Sequence, residues 1–415
     1  MKNYSLMSLT TLDNNKEALH LLQILQSTGK EARFVGGCVR DAYLDKQSSD
    51  IDIATNLLPE ETIAIMHQNQ IKAVTTGFIF GTVTVIFDKQ TFEITTLRQD
   101  IYCNGRHAKV LFTDSWQEDA ARRDFTINTI SYSPIGQIYD YFNGIDDLKQ
   151  GIIRFVGNPH DRIVEDYLRI LRLFRFFAYY GKTKLESNTL IACQDLAKGI
   201  NILSGERIQT EMYKILISNS VADVLLLMYN INVLPYLINC TNIDFEYLKS
   251  LLIVESKFSI PPTPIRRLSA LLYNKDKQTI TQLITRWKLS SKDKSHLYYL
   301  ATQQLLITGN ETEKDLYKIL RSTNKYYVYD SFILLWTKIL QKNSAIDETK
   351  LHSILNIINN WLSPSPPING DDLIKLGISP SKQLGILLKE AINFWEENNY
   401  NPSKDEIIQM IQSKM

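Results

Sequence analysis

The chain has 415 residues, 44% of them hydrophobic and 22% charged, the make-up of a globular protein too long for one typical core. Lys and Arg number 46 against 45 Asp and Glu, so no global basic excess points to nucleic acid, and any polyanion must be met by a local patch. Cys38, Cys103, Cys193 and Cys240 lie far apart and form no CxxC pair. That argues against a structural zinc site or a disulfide scaffold and for a reducing, cytoplasmic compartment. No apolar run has the length of a signal peptide or a membrane span, so no membrane association is expected.

In chain order, β-type runs recur from Ala32 to about Val156: ARFVGG, IDIAT, IKAVTT, GTVTVIF, FEITTL and GIIRFV. Helical stretches interrupt them at Leu58–Asn69 and Trp116–Thr129, which predicts an α+β domain. GTVTVIF and TFEITTL, with DKQ between them, predict a hairpin. After Pro159 apolar residues recur at three-to-four spacing in YLRILRLFRFFAYY, RIQTEMYKILI and LLLMYNINVLPYLI, so the remainder is expected to be helical. The proline clusters Pro261–Pro264 and Ser363–Gly370 read as breaks, the second as a loop between sub-bundles.

The chemistry concentrates in FVGGCVRDAYLDKQSSDIDI, Phe34–Ile53. A strand runs into Gly36-Gly37 and a helix starts near Cys38. Paired glycines allow a close backbone approach, the helix start offers N–H groups to a phosphate, and Arg40 lies in the first turn. Asp50 and Asp52, at i and i+2 of a strand, would face one side. Hard oxygen ligands paired in this way suit Mg²⁺ together with substrate phosphates, and two such ions can serve phosphoryl transfer. A DxD or a GG alone is ordinary surface or turn; the combination at this spacing is specific.

GGCVRD followed by DID resembles the head of the class II tRNA nucleotidyltransferase and bacterial poly(A) polymerase family. FEITTLRQD (Phe92–Asp100), EDAARRDFTINTISY (Glu118–Tyr132), IVEDYLRILRLFRF (Ile163–Phe176) and SGERIQTEMYKIL (Ser204–Leu216) resemble its further motifs in order, with Thr129 where the family has a small Ala. The resemblance implies a polymerase-β-like nucleotidyltransferase head with a small mixed sheet over 1–155. A helical neck (156–220), body (221–362) and tail (363–415) would follow, the tail binding tRNA. Glu93 is either a third carboxylate near the metals or an edge-strand residue facing solvent. Arg98 is expected to anchor the loop IYCNGRHAKVLFTDS, which Asn104-Gly105 makes bendable; a flexible loop there leans towards addition of the terminal A.

Arg123 is expected at the nucleotide, with Arg122 second and paired to Glu118 or Asp119, and Asn128 near the sugar. Asp166 and Arg169, side by side at i,i+3 on one helix, match the chemistry of cytosine and adenine. Both bases offer an amino donor beside a ring-nitrogen acceptor; uracil and guanine reverse that polarity and leave the pair unsatisfied. Arg172 and Arg175 continue the row, Arg172 towards nucleotide or phosphate, Arg175 towards a triphosphate or a bracing role. Arg207 and Glu211 read as an i,i+4 brace. Further on, Arg266-Arg267, Lys288/Lys292/Lys294 and Lys318/Arg321/Lys325, interleaved with Tyr298, Tyr299, Tyr326 and Tyr327, are candidate RNA contacts. The function expected is CCA addition to the 3′ end of tRNA from CTP and ATP with Mg²⁺. The alternatives are poly(A) polymerase, an A-adding relative, or a non-catalytic RNA-binding protein.

Overall fold

The computed structural model describes residues 2–3, 6–48, 50–75, 77–104, 107–240, 243–273, 275–302, 311–342, 347–362, 364–398 and 400–413. They fall into two compact units, Met1–Asn242 with Gln282–Leu289, and Ile243–Thr281 with Ser290–Met415. The first unit holds strands β1 (Lys2–Asn3), β2 (Ala32–Val35), β3 (Ile51–Thr55), β4 (Lys72–Val74), β5 (Thr82–Phe87), β6 (Gln90–Thr96), β7 (Arg98–Asn104), β8 (His107–Phe112), β9 (Ser131–Tyr132) and β10 (Ile138–Asp140). One sheet runs β1-β10-β9-β2-β3-β6-β5-β4, and β7 pairs with β8 apart from it. It is mixed: β3 lies parallel to β6 with Asp52 opposite Glu93, while β2 lies antiparallel to β3 and β5 to β6.

The helices of this unit are α1 (Thr10–Asp13), α2 (Lys16–Gln26), α3 (Gly37–Tyr43), α4 (Pro59–Gln68), α5 (Trp116–Ala121), α6 (Gly144–Gln150), α7 (Pro159–Glu165), α8 (Leu168–Tyr180), α9 (Ser187–Leu196), α10 (Gly205–Leu216), α11 (Val221–Asn230) and α12 (Pro235–Ile238). Asn15 caps α2 by accepting from the Ala18 N–H at 2.8 Å, a bond that stabilises a helix start by about 1 kcal/mol. The apolar stripe of α2, Ala18, Leu21, Leu22 and Leu25, packs on Phe34, Ile53, Val83 and Phe92 of the sheet. This core supports the floor from which β2 and β3 present the glycine turn and the Asp pair. The α+β arrangement, a mixed sheet followed by helices, is the one expected.

Four local expectations differ. The helix expected over Trp116–Thr129 ends at Ala121, followed by a short 3-10 turn at Thr126–Asn128. Phe125 is extended there, bridged to Phe155, and its ring packs 4.8 Å from that of Phe155 and 5.2 Å from that of Phe176; tertiary packing overrides the helical preference. For the same reason GIIRFV makes only that isolated bridge instead of a strand. The segment expected as a loop after Asp100 pairs as β7 and β8, with Asn104 opposite His107; residues 105–106, including Gly105 of the expected bendable pair, lie outside the described residues. The helix expected through Ile163–Phe176 breaks at Asp166, whose φ of −156° and ψ of 107° are extended.

The second unit is helical: α13 (Phe245–Lys257), α14 (Pro264–Leu271), α15 (Lys277–Trp287, its end returning to the first unit), α16 (Ser291–Thr302), α17 (Glu313–Ser322), α18 (Lys325–Gln341), α19 (Glu348–Asn360), α20 (Gly370–Lys375), α21 (Lys382–Glu397) and α22 (Lys404–Gln412). Ile368, Leu373, Ala391, Trp395, Ile407 and Ile411 form a separate core beyond the Ser363–Gly370 break. Arg266 and Arg267 are not a surface cluster. Arg266 is 1% exposed and bonds Glu255 and Asp330 at 2.6 and 2.7 Å, while Arg267 bonds Glu255 at 2.8 Å. Arg321 is likewise paired, with Glu396, and lies over Trp395. No helix among the described residues is long and apolar enough to cross a membrane.

Candidate active site

A cavity of about 1040 Å³ opens in the first unit where the sheet meets α8. The carboxylate, glycine, arginine and asparagine candidates from the sequence line it: Gly36, Gly37, Arg40, Asp50, Asp52, Arg122, Arg123, Asn128, Asp166, Arg169, Arg172 and Arg175, whereas Glu93 does not. Its lining includes nine Arg and Lys side chains against six Asp. A nearly neutral chain thus gathers a local positive excess where a polyanion would fit.

The glycine turn is built for close approach. Gly36 has φ +72°, and a Cβ there would lie 2.8 Å from Arg123 Nη1. The Gly36 N–H is tied to the carbonyl of Ile130, the residue before β9, at 3.1 Å. Beneath it, the buried Cys38 thiol sits 3.3 Å from the Val35 carbonyl and 3.7 Å from that of Asp52. Burial pushes this thiol up to about 12, so it stays a neutral spacer.

Asp52 stands on β3, whereas Asp50 immediately precedes the strand and is exposed. The two therefore meet at one rim of the cavity without sharing a regular strand face. Burial raises the Asp52 carboxyl above its ordinary range; Arg123 opposes this, and Glu93 and Asp50 add to it. Glu93 is close enough to be felt, yet it is exposed. Among the described residues no group of three or more His, Cys, Asp or Glu is arranged to hold a metal. Asp52, whose charge burial destabilises, together with the exposed Asp50 still fits Mg²⁺, which takes its other ligands from phosphates and water.

Arg122 and Arg123 converge on one acid. Arg122 Nε donates to Asp119 Oδ1 at 2.8 Å and Arg123 Nη2 to Oδ2 at 3.2 Å. Burial opposes ionisation of Asp119, but Arg123 and Arg122 outweigh it and hold the carboxyl below its usual range. Arg98 is crowded beside them: burial, with Arg122 adding, brings its guanidinium down to about 10. Its Nε and Nη1 are buried without a hydrogen-bond partner among the described residues. Asn128 accepts from Arg40 Nη1 at 2.6 Å and donates to Asp124 Oδ1 at 2.9 Å.

Asp166 and Arg169 are brought to the same cavity but not paired with each other. The break at Asp166 turns its carboxylate to cap α8, with Oδ1 accepting from the Leu168 N–H at 3.1 Å, while Oδ2 accepts from Arg207 at 2.6 Å. Arg169 spends Nη1 on Glu165 and on the Arg162 carbonyl. Its Nε and Nη2 carry no hydrogen bond to the described residues. Arg175 pairs with Glu211 at 3.0 Å. Arg207 and Glu211 therefore do not brace each other; each reaches across to a cavity residue. Asp41, Asp124 and Glu165 were missed because the partners that tie them to the cavity, Tyr180, Arg172 and Arg169, lie on other elements, which periodicity along one helix does not show.

The lining thus sets a glycine turn and an Asp pair among arginines, a chemistry that suits a charged phosphate ligand. Residues 32–154 match the poly A polymerase head domain, and residues 183–242 match the family described as the probable RNA and SrmB-binding site of polymerase A. The chain is 35% identical to the mitochondrial CCA tRNA nucleotidyltransferase 1 of Homo sapiens over 94% of its length and 89% of the relative's. It is 34% identical to the CCA-adding enzyme of Streptococcus gordonii, covering 92% of this chain and 94% of that one. Its fold matches the Bacillus stearothermophilus CCA-adding enzyme solved in complex with CTP, with a TM-score of 0.70 at 24% identity over 96% and 97% of the two chains. The chain belongs to the class II family of CCA tRNA nucleotidyltransferases and poly(A) polymerases, and its activity is that of a CCA tRNA nucleotidyltransferase.

Proposed function

We propose that the protein adds C, C and A to the 3′ end of tRNA from CTP and ATP in this one cavity, in a reducing cytoplasmic compartment. The observation that carries the base choice is that Arg169 keeps free donors, and Asp166 keeps lone pairs, at the same cavity wall. Asp166 accepts from the exocyclic amino group of cytosine or adenine, and Arg169 donates to the neighbouring ring nitrogen. Uracil and guanine would leave both groups unpaired, a mismatch that discriminates by large factors.

The triphosphate lies along Gly36-Gly37 under Arg123, with Arg122, Arg172 and Arg175 around it and Asn128 towards the sugar. Arg40 backs this wall from behind. Asp50 and Asp52 hold Mg²⁺, which when bound would lower the pKa of the attacking 3′-hydroxyl and stabilise the leaving pyrophosphate. The chain's own contribution is to orient the phosphates, present the Asp50 and Asp52 carboxylates, and admit one base polarity. The division into head (1–155), neck (156–220), body (221–362) and tail (363–415) goes with this reading, the tail taking the tRNA.

The test is incorporation on three acceptors: tRNA ending before CCA, tRNA ending after CC, and an unrelated RNA, with CTP and ATP supplied separately and together. CCA completion on the first and a single A on the second are expected. A long A tail on the unrelated RNA would replace this reading with poly(A) synthesis.

A further inference from the structure

A closed circuit of hydrogen bonds leaves α8 at Arg172 and returns to it at Tyr180, about two turns on. Arg172 Nε donates to Asp124 Oδ2 at 2.6 Å, and Asn128 Nδ2 donates to Asp124 Oδ1 at 2.9 Å. Arg40 Nη1 donates to Asn128 Oδ1 at 2.6 Å. The Nε and Nη2 of Arg40 donate to the two oxygens of Asp41 at 3.0 and 2.9 Å. The Tyr180 hydroxyl then donates to Asp41 Oδ1 at 2.7 Å.

The circuit is filled. Phe176 lies one helical turn from each anchor, with the guanidinium carbons of Arg40 and Arg172 at 5.1 and 5.4 Å from its ring centre. Arg40 also sits 4.5 Å over the Tyr180 ring. Two arginines alternate with two aspartates, so the charges balance locally. Burial opposes the Asp124 carboxylate, but Arg172 outweighs it and holds it ionised. Burial pushes the Tyr180 phenol up to about 12, which leaves it a donor throughout the working pH range. All the polar members line the nucleotide cavity.

We propose that this circuit clamps the base-selecting helix α8 to the glycine turn and α3, making Tyr180, Asp41 and Asp124 positioning residues for transfer of either nucleotide. The proposal rests on reading the cavity as the nucleotide site. Helix α8 carries Arg169 at its start, and α3 follows the turn that receives the phosphates. A small slip between them would separate the base from the reacting phosphate, and a displacement of about 1 Å can cost roughly 10²-fold in rate. A circuit closed at two points of one helix resists rotation as well as translation. Opening it at any one bond releases the clamp, so a second opening elsewhere adds little.

That property is what a double-mutant cycle measures. Tyr180→Phe removes one hydroxyl and keeps the ring over Arg40; Asp124→Asn alters the far side with no direct contact to Tyr180. Rates and KM are measured for C addition and for A addition, with thermal unfolding of each variant. Each single change is expected to lower kcat about 5–30-fold for C and A alike with KM within about 3-fold. The double variant is expected no more than about 3-fold below the slower single, because the clamp is already open. Effects that multiply, or that touch one base only, would overturn the clamp. If Asp124→Asn does not fold, Asp124→Glu, which keeps the charge and displaces the bond to Arg172, takes its place in the cycle. Asp50→Ala runs alongside: retained incorporation there sinks the nucleotide-site reading, while a dead Asp50→Ala with a multiplicative cycle sinks the clamp alone.

Discussion

Arg207 donates to Asp166 at 2.6 Å across the groove between α10 and the break that precedes α8. The backbone N–H of Leu168 holds the other oxygen of the same carboxylate. Asp166 is thus aimed by a residue on another helix. Replacing Arg207 with Ala is expected to lower kcat/KM for both CTP and ATP by about 10–100-fold, the range for losing a charged hydrogen bond. Misincorporation of UTP and GTP should rise at the same time. Competition assays on tRNA ending before CCA check both effects, and unchanged base fidelity would count against the aiming role.

Gly36 is held at φ +72° with Arg123 at its back. A methyl group there meets both a positive-φ backbone that residues with a Cβ rarely adopt and a guanidinium that must move. Gly36→Ala is therefore expected to raise KM for CTP and ATP several-fold and lower the unfolding temperature slightly. Gly29, also at positive φ but with nothing within 4 Å of an added Cβ, is the control. Gly29→Ala should share the strain and spare KM.

The raised carboxyl of Asp52 has a pH consequence of definite sign. Burial, aided by Glu93 and Asp50, makes ionising this group costly in the folded protein. Its folded pKa exceeds its unfolded one, so its stabilising contribution is full below the unfolded pKa and is lost as pH rises through the folded value. Catalysis needs the opposite form. The acid limb of the rate profile is accordingly expected above the ordinary Asp range, and Glu93→Gln should move it to lower pH. A Glu93→Gln enzyme that is slow at every pH with an unmoved limb would show instead that Glu93 is a metal ligand.

Asp119 and Asp124 carry the reverse sign. Their carboxyls are held below the usual range by Arg123 and Arg122, and by Arg172. The stability they contribute is present above the unfolded Asp value and lost as pH falls through the folded one. Unfolding temperature measured down an acid series should fall there, and less steeply in Asp119→Asn.

In the second unit, Arg266 joins Glu255 and Asp330 in a buried network, with His296 3.2 Å from Asp330. Removing one partner of such a network leaves charge buried without compensation and costs about 3–5 kcal/mol. Arg266→Met is expected to lower stability in urea unfolding by an amount of that order. The tRNA affinity of the folded fraction should be unchanged; a selective loss of affinity at unchanged stability would return Arg266 to the RNA surface.

What was legible in the sequence follows physical range. The glycine turn and the β5–β6 hairpin depend on neighbours in the chain and formed as expected, whereas the strand expected to carry both Asp50 and Asp52 begins one residue later, at Ile51. The partners of the arginines depend on tertiary approach. Periodicity along α10 suggested an Arg207–Glu211 brace, yet Arg207 meets Asp166 and Glu211 meets Arg175. The same limit applies to Arg266, whose run of basic neighbours looked like surface until α13 and α18 supplied buried acids. Phe125 shows it in the backbone: aromatic packing on Phe155 and Phe176 ended a helix that local preference would have continued.

The central claim is that one Asp pair serves the addition of both C and A. Incorporation of labelled CTP and ATP by Asp50→Ala, on tRNAs ending before CCA and after CC, tests it most directly when tRNA binding is measured in parallel. Loss of both additions with binding nearly intact is the predicted result. Near-normal addition of either nucleotide would contradict the account.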